Sequence, residues 1–264
     1  MAIPVAVFMC HAPIVIPAVG GARSAECADT TAAMTKAASA LVAEPLDALV
    51  VISPHTPRRR TGWGVVTGDR LTGDMSRFGA PQARIDLPIA TGAVSSTKRA
   101  AADQGLSLTG ISLPSLDHGA YVPMHFVFEA GWRGPVLLLN LPWDGGHAEM
   151  GRALRAASTG QRWGILASGD MSHKLIHGAP AGFDPRAAEF DRVFSDALRR
   201  GDLRAASDVD AELRELAAED AVDSLAVAAA AVDYDNAGHQ FFSYEGPFGV
   251  GYCEAVLHRS GGVQ

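Results

Sequence analysis

Four strand-like segments or loops each deliver a histidine at or near an end. His11 follows Pro4–Cys10 (PVAVFMC), His55 follows Leu46–Ser53 (LDALVVIS), and His173 follows Trp163–Ser168 (WGILAS) after a short polar turn. His118 lies in the loop segment 116–125, LDHGAYVPMH. Neutral imidazole is the commonest metal ligand and the usual acid or base near neutral pH. Open α/β sheets place their sites at the carboxyl ends of strands. One such histidine is an ordinary loop residue; four in equivalent settings point to one shared site. His11 and His55 each flank a proline, which stiffens the local backbone and suits a metal ligand. His118 and His173 sit beside small or polar residues, which suits substrate binding and proton transfer. The other histidines (His125, His147, His177, His239, His258) lack the strand-end setting and read as surface or packing residues.

Two histidines and one carboxylate on a single face form the ligand set of non-haem Fe(II) sites, leaving open positions for substrate and oxygen. Glu219, Asp220 and Glu245 are the candidate third ligands. The first two also fit simple charge complementation at a helix N-terminus, Glu245 also fits an ordinary turn, and spacing does not choose among the three. Cys10, Cys27 and Cys253 form no Cys-x-x-Cys pair, and Cys10 reads as a small buried residue. Neither a Gly-x-Ser-x-Gly elbow nor a glycine-rich phosphate loop occurs, which argues against serine hydrolase and nucleotide chemistry.

The elements that must position these residues alternate. Short apolar β-branched runs at 4–10, 46–53, 136–141 and 163–168 read as buried strands, and segments 24–44, 95–104, 147–158, 185–200 and 203–232 read as helices. Segment 58–93 reads as an excursion over the sheet edge containing a short strand at 63–67, and the chain closes on a strand pair around Gly246–Gly249, with 250–257 as the last strand. The pattern implies a single-domain α/β sandwich over residues 1–264, with a central, mostly buried mixed sheet flanked by helices.

Bulk properties narrow the function. The net charge of −7, with Arg58-Arg59-Arg60 as the sole basic cluster, argues against nucleic acid as a partner. The N-terminus lacks a basic leader and is broken by Pro4, Pro13 and Pro17, so no signal peptide is expected. No apolar stretch is long enough for a membrane span. The cytoplasm is the expected location.

His11, Ser53-Pro54-His55, Leu116-Asp117-His118-Gly119 with Val122-Pro123-Met124, and Gly169-Asp170-Met171-Ser172-His173 occur in the order found in class III extradiol ring-cleavage dioxygenases. The chain resembles the protocatechuate 4,5-dioxygenase β-subunit type over roughly residues 3–257, and more distantly the Memo-like proteins. The resemblance implies cleavage of a catechol-type aromatic ring with O₂ at Fe(II), held by His11, His55 and a late carboxylate. That carboxylate falls at Asp220 or Glu219, and Asp220 is favoured because it keeps the following apolar stretch in the Memo-like register. His173 would be the acid/base and His118 would contact a substrate oxygen, with Asp117 and Tyr121 contributing to substrate binding. Tyr121, Pro123, Trp143 and Phe248 are candidate pocket walls, and Arg23, Arg77 or Arg162 could hold a substrate carboxylate. The late helix EDAVDSLAVAAAAV lacks the aromatic residue and Gly-Ala ending of the family pattern, so zinc or an empty site is an alternative, as in a Memo-like binding or regulatory protein or a zinc hydrolase. Related proteins work as dimers or with a small partner subunit, and either is compatible with this sequence.

Overall fold

The computed structural model describes residues 3–261. Eight strands form one mixed sheet in the order β6-β3-β7-β2-β8-β1-β10-β9. These are β1 (Val5–Met9), β2 (Ala48–Ser53), β3 (Trp63–Val66), β6 (Leu108–Ile111), β7 (Val136–Asn140), β8 (Trp163–Ser168), β9 (Gln240–Glu245) and β10 (Tyr252–Arg259). A hairpin of β4 (Arg70–Met75) and β5 (Ala80–Pro88) stands apart from that sheet. Four central strands, β7, β2, β8 and β1, run parallel, and β10 and β3 flank them antiparallel. Every residue of the four central strands is buried. That explains their unbroken apolar sequences: a parallel sheet covered on both faces has no polar side to alternate with. Each fully buried Val, Leu or Ile contributes about 1.5–3 kcal/mol.

The helices are α1 (Pro17–Gly20), α2 (Ala28–Val42), α3 (Thr91–Asp103), α4 (His118–Glu129), α5 (His147–Ala157), α6 (Ala187–Arg199), α7 (Leu203–Ser207), α8 (Ala211–Ala217) and α9 (Val222–Ala231). α2 and α4 pack on each other and on the central strands, while α9 packs on β1 and β8 and is backed by α5, which in turn meets α3. No helix among the described residues is long and apolar enough to cross a membrane.

The single α/β unit with a central mixed sheet agrees with the sequence reading, but three local expectations change. Segment 116–125 is not a loop; it opens α4. Asp117 caps that helix by accepting the Ala120 N–H at 2.9 Å, and Pro123 is accommodated inside it. The region read as a helix over 203–232 is three helices. Asp202 and Asp210 each cap a new start at 3.0 Å, and Ala218 adopts a left-handed φ of 54° that ends α8. Glu219 and Asp220 therefore lie in a turn ahead of α9. Finally, β3 belongs to the main sheet, and only β4 and β5 make the excursion. Their tip, Ser76–Phe78, reaches the rings of the histidine cluster, with Phe78 6.1 Å from His118.

Candidate active site

The parallel strands β1, β2 and β8 all end at the same sheet edge, and each delivers part of one cluster. His11 leaves β1, His55 leaves β2, and Ser168, Asp170 and His173 leave β8. α4 adds His118 as its first residue, and the turn before α9 adds Asp220. The Nε2 atoms of His11 and His55 are 3.1 Å apart, and Asp220 Oδ2 lies 3.4 Å from the first and 3.1 Å from the second. Ligands at right angles around a first-row divalent ion, each about 2.1 Å from it, stand about 3.0 Å apart. The three atoms fit a facial triad. His118 is close by, with its ring centre 4.1 Å from that of His55 and 5.5 Å from that of His11.

The surroundings fix these groups. His11 is 1% exposed. Its Nδ1 lies 3.0 Å from Ser168 Oγ, and that hydroxyl donates its only proton to the Gly119 carbonyl at 2.5 Å. Ser168 must therefore accept from Nδ1–H, which leaves Nε2 as the nitrogen turned toward His55 and Asp220. The Gly119 carbonyl is open to this bond because its helical partner four residues on is Pro123, which has no N–H. Gly119 also has to be glycine, since a Cβ there would stand 2.7 Å from Ser53 Oγ and 2.9 Å from His55 Cδ2.

Asp170, to which the sequence reading gave no role, is the hub of the cluster. Its Oδ1 accepts the His11 backbone N–H at 2.8 Å, and its own N–H donates to Asp220 Oδ1 at 2.7 Å. Its signal was visible, since it is the carboxylate nearest the end of a strand that also delivers a histidine. Gly169 beside it allows the turn before α9 to approach, because a Cβ there would lie 2.5 Å from Ala221 Cα.

Electrostatics follow from this packing. Burial lowers the basicity of His11, but the Asp170 and Asp220 carboxylates outweigh it and raise the imidazole to about 9. Burial alone would raise Asp220, yet the neighbouring His11 and His55 hold it well below the usual carboxylate range. Burial, reinforced by His55 and His11, pushes His118 down to about 4, so it is neutral at physiological pH. Burial keeps Cys10 a thiol by raising it well above its ordinary value.

Two clefts open onto the cluster, and both are lined by His55, Phe78 and His118. The larger, about 550 Å³, adds His11, Arg23, Asp170, His173 and Tyr252. The smaller, about 380 Å³, adds Asp74, Arg77, Asp117 and Tyr121. His173 Nδ1 meets the Met171 carbonyl at 3.1 Å, so it carries the proton and leaves Nε2 as the basic nitrogen. Asp117 is engaged by Ser53 and Thr56 at 2.8 and 2.6 Å besides its capping bond.

Other residues singled out from sequence lie elsewhere. Glu219 caps α9 through Ala221 and Val222, at 2.5 and 2.8 Å, and its other oxygen takes Arg214. Glu245 accepts from the Thr30 backbone near the start of α2 at 2.8 Å. Trp143 is 68% exposed under the Arg58 guanidinium and lines neither cleft. Pro123 is buried within α4. Phe248 packs under Arg23. Arg162 is held by Glu44 and the Pro45 carbonyl near the start of β8, away from the histidines.

Residues 5–254 match the family described as the catalytic LigB subunit of aromatic ring-opening dioxygenase, so the chain belongs to that family. A curated relative, Protein CA_C1420 of Clostridium acetobutylicum, is 24% identical over 92% of this chain. The match covers 54% of that relative, so the chain spans about half its length. The crystal structure of protein JW3007 from Escherichia coli K12 superposes with a TM-score of 0.58 at 17% identity, covering 95% of this chain and 98% of that one. At that identity it shows a shared fold.

Proposed function

We propose that this chain is an extradiol dioxygenase, holding Fe(II) with His11, His55 and Asp220 and opening the ring of a catechol-type substrate with O₂. The observation that carries this reading is the triad of Nε2, Nε2 and Oδ2 atoms at mutual distances of 3.1–3.4 Å beside an open cleft. Iron, when bound, would ligate the diol oxygens and mediate electron transfer from the ring to O₂. The net reaction places both atoms of O₂ on the two carbons of a ring bond next to the diol.

The chain's own residues supply the rest. His173 Nε2 accepts a proton from the catechol hydroxyl, which makes the ring electron-rich, and later returns a proton to oxygen. Neutral His118 hydrogen-bonds a substrate oxygen and stabilises charge developing there. Tyr121 and Asp117, in the smaller cleft, bound the far side of the substrate. The apolar walls of the larger cleft (Ile14, Val19, Val250) exclude water from the reacting face.

The test is anaerobic reconstitution with Fe(II), followed by oxygen-electrode measurements over a panel of catechols. Oxygen uptake with a yellow ring-fission product is expected. Iron-loaded protein that consumes no oxygen with any catechol would overturn the reading and favour a binding or regulatory role. One observation favours a second reading. His11, His55 and His118 offer ligand nitrogens within 4.8 Å of one another. Three imidazoles and one carboxylate also suit tetrahedral zinc, and zinc retention with hydrolytic activity would support it.

A further inference from the structure

Resting on that metal reading, we infer that Arg58 and Arg214 form an electrostatic clamp around Asp223 that sets the separation of the His55 and Asp220 ligands. Arg58 lies three residues after His55. Its Nε donates to the Leu141 carbonyl and its Nη2 to the Pro142 carbonyl, each at 3.0 Å, and Nη2 also reaches Asp223 Oδ2 at 3.3 Å. Its guanidinium lies over the Trp143 ring, 3.7 Å from the centroid. Arg214 takes the other oxygen of Asp223 at 2.6 Å, and its Nε donates to Glu219 at 2.5 Å. Glu219, 2% exposed, closes the path by binding the backbone N–H groups on either side of the α9 start. Asp220 is the residue between Glu219 and those N–H groups.

A chain of charge-assisted bonds thus runs from Arg58, in the loop that follows His55, through Asp223, Arg214 and Glu219 to the Ala221 and Val222 amides of the turn that carries Asp220. Two guanidiniums face two carboxylates, so the path is neutral overall, and His147 is the further titratable group against it, 3.7 Å from Asp223. Arginine is the residue this geometry needs, because its planar fork spans two carbonyls and a carboxylate at once. Glu219, a candidate ligand on sequence, acts here as a positioning residue. Partners beyond the ligands that orient them typically affect metal affinity about 10- to 100-fold.

The experiment measures affinity rather than turnover. Metal-free wild-type protein, Arg58→Met, Arg58→Lys and Arg214→Met are titrated anaerobically with Fe(II), and with Co(II), whose visible spectrum reports ligand geometry. Arg58→Met and Arg214→Met should weaken binding about 10- to 100-fold and alter the Co(II) bands. The double variant should lose little more than either single one, because the two arginines are successive links in one path. Arg58→Lys keeps the charge and guards against misfolding of the methionine variant; it should fold and lose affinity to an intermediate degree. Melting of the metal-free proteins provides the control, since a purely structural role would lower the melting temperature and leave affinity unchanged. Folded Arg58 variants that bind within twofold of wild type would overturn the clamp alone. Wild-type protein that binds neither ion would overturn the metal centre, and the clamp with it.

Discussion

Replacing Glu254 by glutamine should reverse in sign across the pH range, destabilising in acid and stabilising in alkali. Glu254 lies on β10, is fully buried, and sits against Cys10, the residue before His11. Ser243 donates to one of its oxygens, while the other has no hydrogen-bond partner. Burial therefore raises the carboxyl from its ordinary 4.5 to about 8. Between those values the folded chain keeps a proton that the unfolded chain has released, so stability falls as pH rises. Each pH unit in that window costs about 1.4 kcal/mol, a total of about 5 kcal/mol as an upper figure. The amide cannot ionise and escapes this loss, but it leaves an N–H pair short of acceptors, at a cost of about 1–3 kcal/mol at every pH. Glu254→Gln should thus be the less stable protein at pH 5 and the more stable by pH 9, by a few kcal/mol. Urea unfolding of the metal-free proteins at intervals between those limits checks it. His11 titrates in the same range but is common to both proteins, so it cancels in the difference. A stability difference that stays constant with pH would refute the assignment of Glu254 as a buried, protonated acid.

The remaining predictions concern the metal and the chemistry. Ser168→Ala should weaken Fe(II) binding about 10- to 100-fold by freeing the His11 tautomer, and unchanged affinity in anaerobic titration would rule that role out. His55→Ala should abolish stoichiometric metal, read by elemental analysis; full retention would remove His55 from the ligand set. His173→Ala should keep the metal and lose about 10²–10⁴-fold in turnover, and unchanged oxygen uptake would contradict its acid/base role. Because His11 is raised to about 9, binding must expel a proton below that pH. Affinity should fall about tenfold per pH unit on acidification, and a flat isothermal titration series between pH 6 and 8 would disprove it.

The central sheet was legible in the sequence because its strands are covered on both faces and read as continuous apolar runs. The motifs of His11, His55 and His173 were legible for the same reason, since each follows such a run, whereas His118 opens a helix. Other features depend on contacts that no local pattern records. The start of α4 was read as a loop because Gly119 and Pro123 carry strong turn signals, but the Asp117 cap and the packing of α4 on α2 override them. The break at Asp202 matches the gap between the two helical segments expected from sequence, whereas those at Asp210 and Ala218 lie within a region of uniformly helical composition. Those breaks decide between two adjacent carboxylates: in one continuous helix Glu219 and Asp220 would point about 100° apart, whereas in the turn Glu219 folds back on the α9 amides and Asp220 faces the histidines. The position of Asp170 just past a strand end is visible in the sequence, but its contacts are not, because they join His11 to Asp220, residues far from each other in the chain.

Pro123 shows how far a local irregularity can reach. A proline inside a helix ordinarily costs about 3 kcal/mol, and nothing in α4 itself requires one. The carbonyl it leaves unpaired, that of Gly119, takes the Ser168 hydroxyl. Once that hydroxyl donates to Gly119 it can only accept from His11 Nδ1, so Nε2 is the nitrogen presented toward His55 and Asp220. An alanine at position 123 would offer an N–H to the same carbonyl and compete with Ser168 for it. The missing helical bond in α4 is thus coupled to the orientation of a residue just past β1, through one hydroxyl at the end of β8. That coupling gives a physical reason for the Gly-x-x-x-Pro spacing that made this helix look like a loop.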